Sequence, residues 1–245
     1  MPLPFTQHAR ILLRLMACGV VSLALSGCQG LSNTAQLRVI DATPDAGAMD
    51  IYSADGAIAY NVGFGTTTSY IPVAAANHVL NMESAGTRTV LSSTKAALLG
   101  MKQYTLVVSN VAGAMQTTVL ADQSTPAAAG QSAVRFLNEA TAAGAYDLYL
   151  LRKGDRLGDA LPVAKKAEFG TNTGYVNVPA GVYAVVALPA GTQLKNSAVA
   201  TFIGASTAYS SGSVRTVVLV DVVNANEHGL RALVASDYEP VTVTE

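Results

Sequence analysis

The chain is 245 residues long and half hydrophobic, with 15 Lys and Arg against 16 Asp and Glu for a net charge of −1. That length and apolar share suffice for one large or two small cores, and the near-neutral balance excludes the basic surface of a nucleic-acid binder. Two cysteines and three histidines exclude a disulfide-rich scaffold and leave little from which to build a zinc site.

The first 27 residues read as a secretory signal. Arg10 and Arg14 form a positive segment, and the apolar run Leu15 to Leu25 that follows is too short for a bilayer span of about 20 residues. The run ends in Leu25-Ser26-Gly27-Cys28, which resembles the lipobox of bacterial lipoproteins. The resemblance implies cleavage before Cys28 and a covalent lipid on its sulfur, the one non-protein group expected. Gln29 after the cysteine implies outer-membrane sorting. Cys18 leaves with the signal, so the mature chain has no thiol for a disulfide. It keeps 218 residues (245 minus 27) and 13 basic against 16 acidic side chains, a net charge of −3. Residues 28–35 are expected to tether the protein to the membrane through this lipid.

An internal repeat organises the remainder. A shift of 97 residues lays Gly47-Ala48-Met49-Asp50-Ile51-Tyr52 on Gly144-Ala145-Tyr146-Asp147-Leu148-Tyr149 and Arg38-Val39 on Arg135-Phe136. A shift of 105 pairs Phe64-Gly65-Thr66 with Phe169-Gly170-Thr171 and Ala85-Gly86-Thr87 with Ala190-Gly191-Thr192. Each copy consists of short runs rich in Val, Tyr, Thr and Leu, bounded by Gly, Pro, Asn and Asp, the pattern of β-strands. The expected fold is all-β, two tandem immunoglobulin-like sandwiches over 36–122 and 132–238, with a linker at 123–131 and a tail at 239–245. Only Ser92 to Lys102 carries a helical flavour, enough for a turn or two.

The aspartate inside each repeated hexamer needs a partner. If "QLRVI" and "AMDIY" are adjacent antiparallel strands, one register places Arg38 opposite Asp50 with a wholly apolar other face. The same register sets Arg135 opposite Asp147. These four residues are therefore expected to form structural cross-strand pairs.

"LRVIDATPDAGAMDIY", with the later Tyr, Val and Ala-Gly positions and "YTLVV", resembles bacterial secreted proteins of the domain of unknown function 4397 family. Arg38, Ala42, Pro44, Asp45, Asp50 and Tyr52 carry the likeness, and Asp41 stands where the family more often has His or Asn. The second copy keeps Arg135, Asn138, Asp147 and Tyr149 but lacks the Pro-Asp pair. The resemblance implies a cell-envelope β-sandwich and no particular reaction.

Chemistry-bearing motifs are sparse. His78 falls in a strand at the place Tyr183 takes in the second copy, which suits packing, and His228 is the other mature histidine. "DATPDAGAMD" lacks calcium-loop spacing, and Ser92-Ser93-Thr94-Lys95 lacks the companions that give an S-x-x-K string meaning. No metal, catalytic residue or further cofactor is expected. The second copy does carry eight extra residues between Tyr149 and Phe169, and that segment holds Arg152, Lys153, Arg156, Lys165 and Lys166. Loops on a rigid sandwich are the usual place for recognition, so this segment is the expected docking site for an anionic envelope polymer or protein. The chain thus reads as a lipid-anchored envelope protein with a non-enzymatic structural, binding or adhesion role. A carbohydrate-active or hydrolytic enzyme is the alternative.

Overall fold

The computed structural model describes residues 33–142, 144–194, 202–222 and 229–239. The first sandwich holds β1 (Thr34–Ala42), β2 (Met49–Ser53), β3 (Gly56–Val62), β4 (Ile71–Ala74), β5 (Asn77–Ser84), β6 (Val90–Ala97), β7 (Gln103–Ser109) and β8 (Gln116–Ala121). The period-2 alternation of these runs builds its core. Leu37 and Val39 of β1 meet Met49 and Ile51 of β2, Leu80 and Met82 of β5, and Leu106 and Val108 of β7. One sheet has the order β4-β1-β7-β8, the other β3-β2-β5-β6.

The second sandwich repeats this plan. It contains β9 (Gln131–Asn138), β10 (Tyr146–Arg152), β11 (Ala164–Ala167), β12 (Thr171–Pro179), β13 (Gly181–Pro189), β14 (Phe202–Ile203), β15 (Thr207–Tyr209), β16 (Val214–Asp221) and β17 (Leu230–Tyr238). Its sheets run β12-β9-β16-β17 and β11-β10-β13-β14, with β15 also on β13. In both sandwiches the opening strand lies parallel to a late one, β1 beside β7 and β9 beside β16. The chain is all-β among its described residues, and the sandwiches are immunoglobulin-like in layering.

Two expectations fail here. Strand β1 pairs with β4 and β7, whereas β2 pairs with β3 and β5 in the opposite sheet. Arg38 is therefore not a cross-strand partner of Asp50, nor Arg135 of Asp147. The chain crosses between sheets after β1 instead of turning back as a hairpin. The helical turn expected from Ser92 is instead strand β6, which pairs with β5 from Asn77↔Ala97 to Glu83↔Val90. Ala and Lys are good helix formers, but helix propensity is a weak determinant that tertiary packing overrides. Burial of Ala96 and Leu98 in the core and the Ser93 hydroxyl bond to Asn81 (2.7 Å) favour the strand.

The sandwiches pack face to face through the sheets containing β1 and β9. Ile40, Ala42 and Val107 meet Leu137, Val218, Val220 and Ala235 in a shared apolar cluster. Burying each of the Val, Leu and Ile side chains among them is worth about 1.5–3 kcal/mol. Strands β1 and β9 point the same way, since the Ser109 and Glu139 side chains, at the ends of β7 and β9, lie beside each other. The molecule thus has two ends. One carries the start of β1, where Gln36 N–H donates to Lys102 O (2.9 Å) and Met101 N–H to Thr34 O (2.8 Å). The other carries the β1–β2 and β9–β10 connections.

Candidate functional site

Arg38 and Arg135 are almost fully buried, 2% exposed each, on the faces of β1 and β9 that meet between the sandwiches. Each reaches across to an aspartate of the other sandwich. Arg38 Nη2 donates to Asp237 Oδ1, and Arg135 Nη2 to Asp122 Oδ1 at 2.6 Å. Arg38 Nε donates to Thr105 Oγ1 (2.9 Å), and the Thr105 hydroxyl donates to Asp122 Oδ2 (2.6 Å). Arg135 Nε donates to Thr216 Oγ1 (3.1 Å), and the Thr216 hydroxyl donates to Asp237 Oδ2 (2.7 Å). The six side chains therefore close a ring with pseudo-twofold symmetry.

Tyr70 and Tyr175 complete it. Their hydroxyls donate to Asp122 and Asp237, both at 2.8 Å, and the guanidinium carbons of Arg38 and Arg135 lie 4.8 and 4.7 Å from the Tyr70 and Tyr175 ring centres. Burial pushes both phenols well above the ordinary tyrosine range, and it raises the Asp237 carboxyl even with Arg38 beside it. A satisfied ring of this kind fixes one docking geometry and leaves no group free for a substrate.

Asp50 and Asp147 have a different task. Asp50 accepts the Asn61 N–H (2.8 Å) and the Gly86 N–H (3.0 Å); Asp147 accepts those of Lys166 (2.8 Å) and Gly191 (3.0 Å). All four donor residues have left-handed backbones, with φ of 52° at Asn61, 72° at Gly86, 49° at Lys166 and 79° at Gly191. The aspartate pins the bulge on one side of its strand and the Ala-Gly-Thr turn on the other. That is why both motifs recur together. These N–H donors hold the Asp50 carboxyl below its ordinary value.

The five basic residues of the insertion do not form one patch. Arg152 lies at the far end of β10 against Gly181, which is beside the start of β9, because Ala180 N–H donates to Gly130 O (2.9 Å). Lys153 follows it in the turn, and Arg156 precedes the short 3-10 turn Leu157–Asp159. Lys165 and Lys166, on β11, lie at the opposite end. There they line a cleft of about 610 Å³ with Asp147, Tyr149, Pro162 and the turn Ala190 to Leu194. Tyr149, 4% exposed, packs on Val186 and Leu188 beneath Leu157 and Ala160, and burial raises its phenol, with the Asp147 charge adding to the effect. The insertion thus roofs the outer face of its sheet and frames the cleft.

In the first sandwich the equivalent positions are Tyr52, Asn81 and Glu83, as the registers Tyr52↔Asn81 and Tyr149↔Val186 show. With polar groups in place of Val186 and Leu188, that face has no apolar patch for a covering segment. Instead Tyr52 meets Tyr60 edge-on at 5.9 Å and carries Arg88 over its ring at 4.1 Å. His78 is buried on β5 with Nε2 2.8 Å from Ala74 O. Among the described residues no cluster of His, Cys, Asp or Glu is arranged to hold a metal. Cys28 and His228 lie outside the described residues.

Sequence reasoning missed Asp122, Asp237, Tyr70, Tyr175 and the cleft-floor role of Tyr149. The signal for the aspartates was present, since Val119-Leu120-Ala121-Asp122 and Val234-Ala235-Ser236-Asp237 close the two repeats alike.

Residues 35–149 match the family described as "Domain of unknown function (DUF4397)", a span from the first strand of the first sandwich to β10 of the second. No curated protein matches the chain. Similar solved structures include the Bacillus anthracis TIE protein, at 7% identity and TM-score 0.23 over 77% of this chain and 34% of that one. The chain thus spans about a third of that protein's length. A second is a streptococcal virulence factor described by its alpha-glucan binding, at 10% identity and TM-score 0.24 over 76% and 92%. A third is the CBM26-family module CBMbc of Eubacterium rectale Amy13K, solved in complex with maltoheptaose, at 9% identity and TM-score 0.23 over 81% and 96%.

Proposed function

We propose that this protein is a non-enzymatic binding protein of the bacterial cell envelope, lipid-anchored through Cys28, built from two copies of one domain of the 4397 type. In this reading it presents an anion-binding cleft at the end remote from its anchor. The observation that carries it is the position of Lys165 and Lys166. They line the cleft beside Asp147 and Tyr149, at the end of the sandwich opposite the start of β1. Asp147 is engaged by two backbone N–H groups, which leaves the lysine ammonium groups to meet an incoming anion. The Lys166 side chain is 75% exposed and its contact to Glu168 is loose at 3.5 Å, so an acidic glycan or acidic protein surface displaces it at little cost. The buried ring supports the reading as well, because it holds both sandwiches as one rigid support.

Lys165→Ser with Lys166→Ser is expected to weaken binding to lipopolysaccharide and to a polyuronate about tenfold at low salt and to flatten the salt dependence. Arg152→Ser with Lys153→Ser, at the other end, is expected to leave both unchanged. Equal affinity of the two double variants would sink the cleft assignment. Cys28→Ala is expected to block lipid transfer and leave the precursor uncleaved, read as loss of fatty-acid labelling and retention of residues 1–27. Aqueous partition of the wild-type protein in a detergent extraction would exclude the anchor.

A further inference from the structure

The loop between β6 and β7, Leu98-Leu99-Gly100-Met101-Lys102, breaks the usual rule for a surface connection. Leu99 is 64% exposed and Met101 73% exposed. Neither projects from a loose tip. Leu98, at 2% exposure, anchors the loop in the core, and its N–H donates to Ala76 O (2.9 Å). Leu99 N–H donates to the Tyr104 hydroxyl (3.1 Å). Met101 N–H donates to Thr34 O (2.8 Å) while its backbone sits at φ 61°, a left-handed conformation that side-chain-bearing residues seldom hold. The fold therefore fixes two large apolar side chains in water, at a cost in both backbone and solvation terms.

The place of this loop says what covers it. Its contact is Thr34, the first residue of β1, so it lies where the chain enters the sandwich. Five residues lie between Cys28 and Thr34, and the six Cα-to-Cα steps, fully extended, reach about 21 Å. We infer that Leu99 and Met101 insert into the bilayer that holds the protein's own lipid, with Lys102 against the lipid phosphates, a second contact that sets the tilt of the molecule. This rests on the lipoprotein reading above. Asp55, exposed on the neighbouring β2–β3 turn, limits insertion to the headgroup boundary. An acyl anchor alone tethers without orienting. A fixed apolar pair beside it points the cleft-bearing end away from the membrane.

The chain has no tryptophan, so single substitutions give an unambiguous probe. Full-length lipidated Leu99→Trp, Met101→Trp and, as reference, Tyr60→Trp on the outer face of β3 are reconstituted separately. The vesicles contain phosphatidylethanolamine and phosphatidylglycerol with brominated acyl chains. Emission at positions 99 and 101 is expected to fall at least twofold relative to unbrominated vesicles and to shift to the blue, with no change at position 60. Flotation with the vesicles but equal, weak quenching at all three positions would overturn the proposal and leave the anchor intact. Failure to float would remove the anchor itself, and this contact with it.

Discussion

Arg38→Met is expected to destabilise the protein by about 3 kcal/mol or more, measured by urea unfolding at pH 7. Methionine keeps most of the apolar stem, so what is lost is the guanidinium. Asp237, whose side chain is 0% exposed, then keeps only Tyr175 and Thr216 as donors. Thr105 also loses the Arg38 donor and Ser236 O loses the Arg38 Nη1 bond. Removing both charges, as Arg38→Met with Asp237→Leu, is expected to recover part of the loss. It will not recover all of it, because the Tyr175 and Thr216 hydroxyls are then left without their acceptor. A double-mutant cycle should give a coupling of about 2 kcal/mol for Arg38 with Asp237 and none for Arg38 with Asp50. A loss under about 1 kcal/mol for Arg38→Met would mean that the ring does not lock the two sandwiches together.

The contrast between those two cycles marks where the sequence was legible. The alternating runs showed strands, the shifted motifs showed one plan used twice, and the recurrence of Asp50 and Asp147 showed a structural demand. The partner was misread because strands adjacent in sequence were placed adjacent in space. That default holds for hairpins, but here residues 43–48 carry the chain across to the other sheet. The true partners of each aspartate are backbone N–H groups, which have no residue signature apart from the repeated Ala-Gly-Thr. A clue to the buried position of Arg38 was available. A strand with one wet face alternates, yet Val39-Ile40, Phe136-Leu137 and Val217 to Val220 are continuously apolar. Such runs mark strands covered on both faces, and both arginines sit beside them.

The basic insertion was legible as an insertion and illegible as a surface. Charge counting along a segment ignores that β10 is seven residues long, about 20 Å at 3.3 Å per residue. Arg152 and Lys165 therefore fall at opposite ends of the fold. Nor did composition reveal that Leu157 and Ala160 serve as a roof over Tyr149. That depended on Val186 and Leu188 standing where the first copy has Asn81 and Glu83.

Asp41→Asn is expected to stabilise the protein near neutral pH, and the internal repeat supplies the reason. Asn138, the counterpart of Asp41, is buried; its Oδ1 accepts the Ala140 N–H (3.2 Å) and its Nδ2 donates to Ala167 O (2.9 Å). Asp41 is fully buried and repeats the first bond, with Oδ1 accepting the Thr43 N–H at 2.8 Å, but its Oδ2 has no partner. Only a protonated carboxyl can donate as the amide does. Burial pushes the Asp41 carboxyl up to about 6 from an ordinary 3.8, and it likewise raises Glu139 to about 6. For a carboxyl raised on folding, the unfolded state releases its proton first. The stability it contributes is therefore fully present below about pH 4 and is lost as pH rises through about 6. By pH 8 that loss is on the order of 1–3 kcal/mol for Asp41, at about 1.4 kcal/mol per pH unit. Asparagine supplies the donor at every pH. The variant should gain most of this amount at pH 8, gain little at pH 4, and retain the slope due to the other raised carboxyls, Glu139 and Asp237. Adding Glu139→Gln should make the profile between pH 4 and 7 shallower still. Urea midpoints across that range decide it: an Asp41→Asn variant that loses stability at pH 8 would show that the buried carboxylate is matched to its site as an anion.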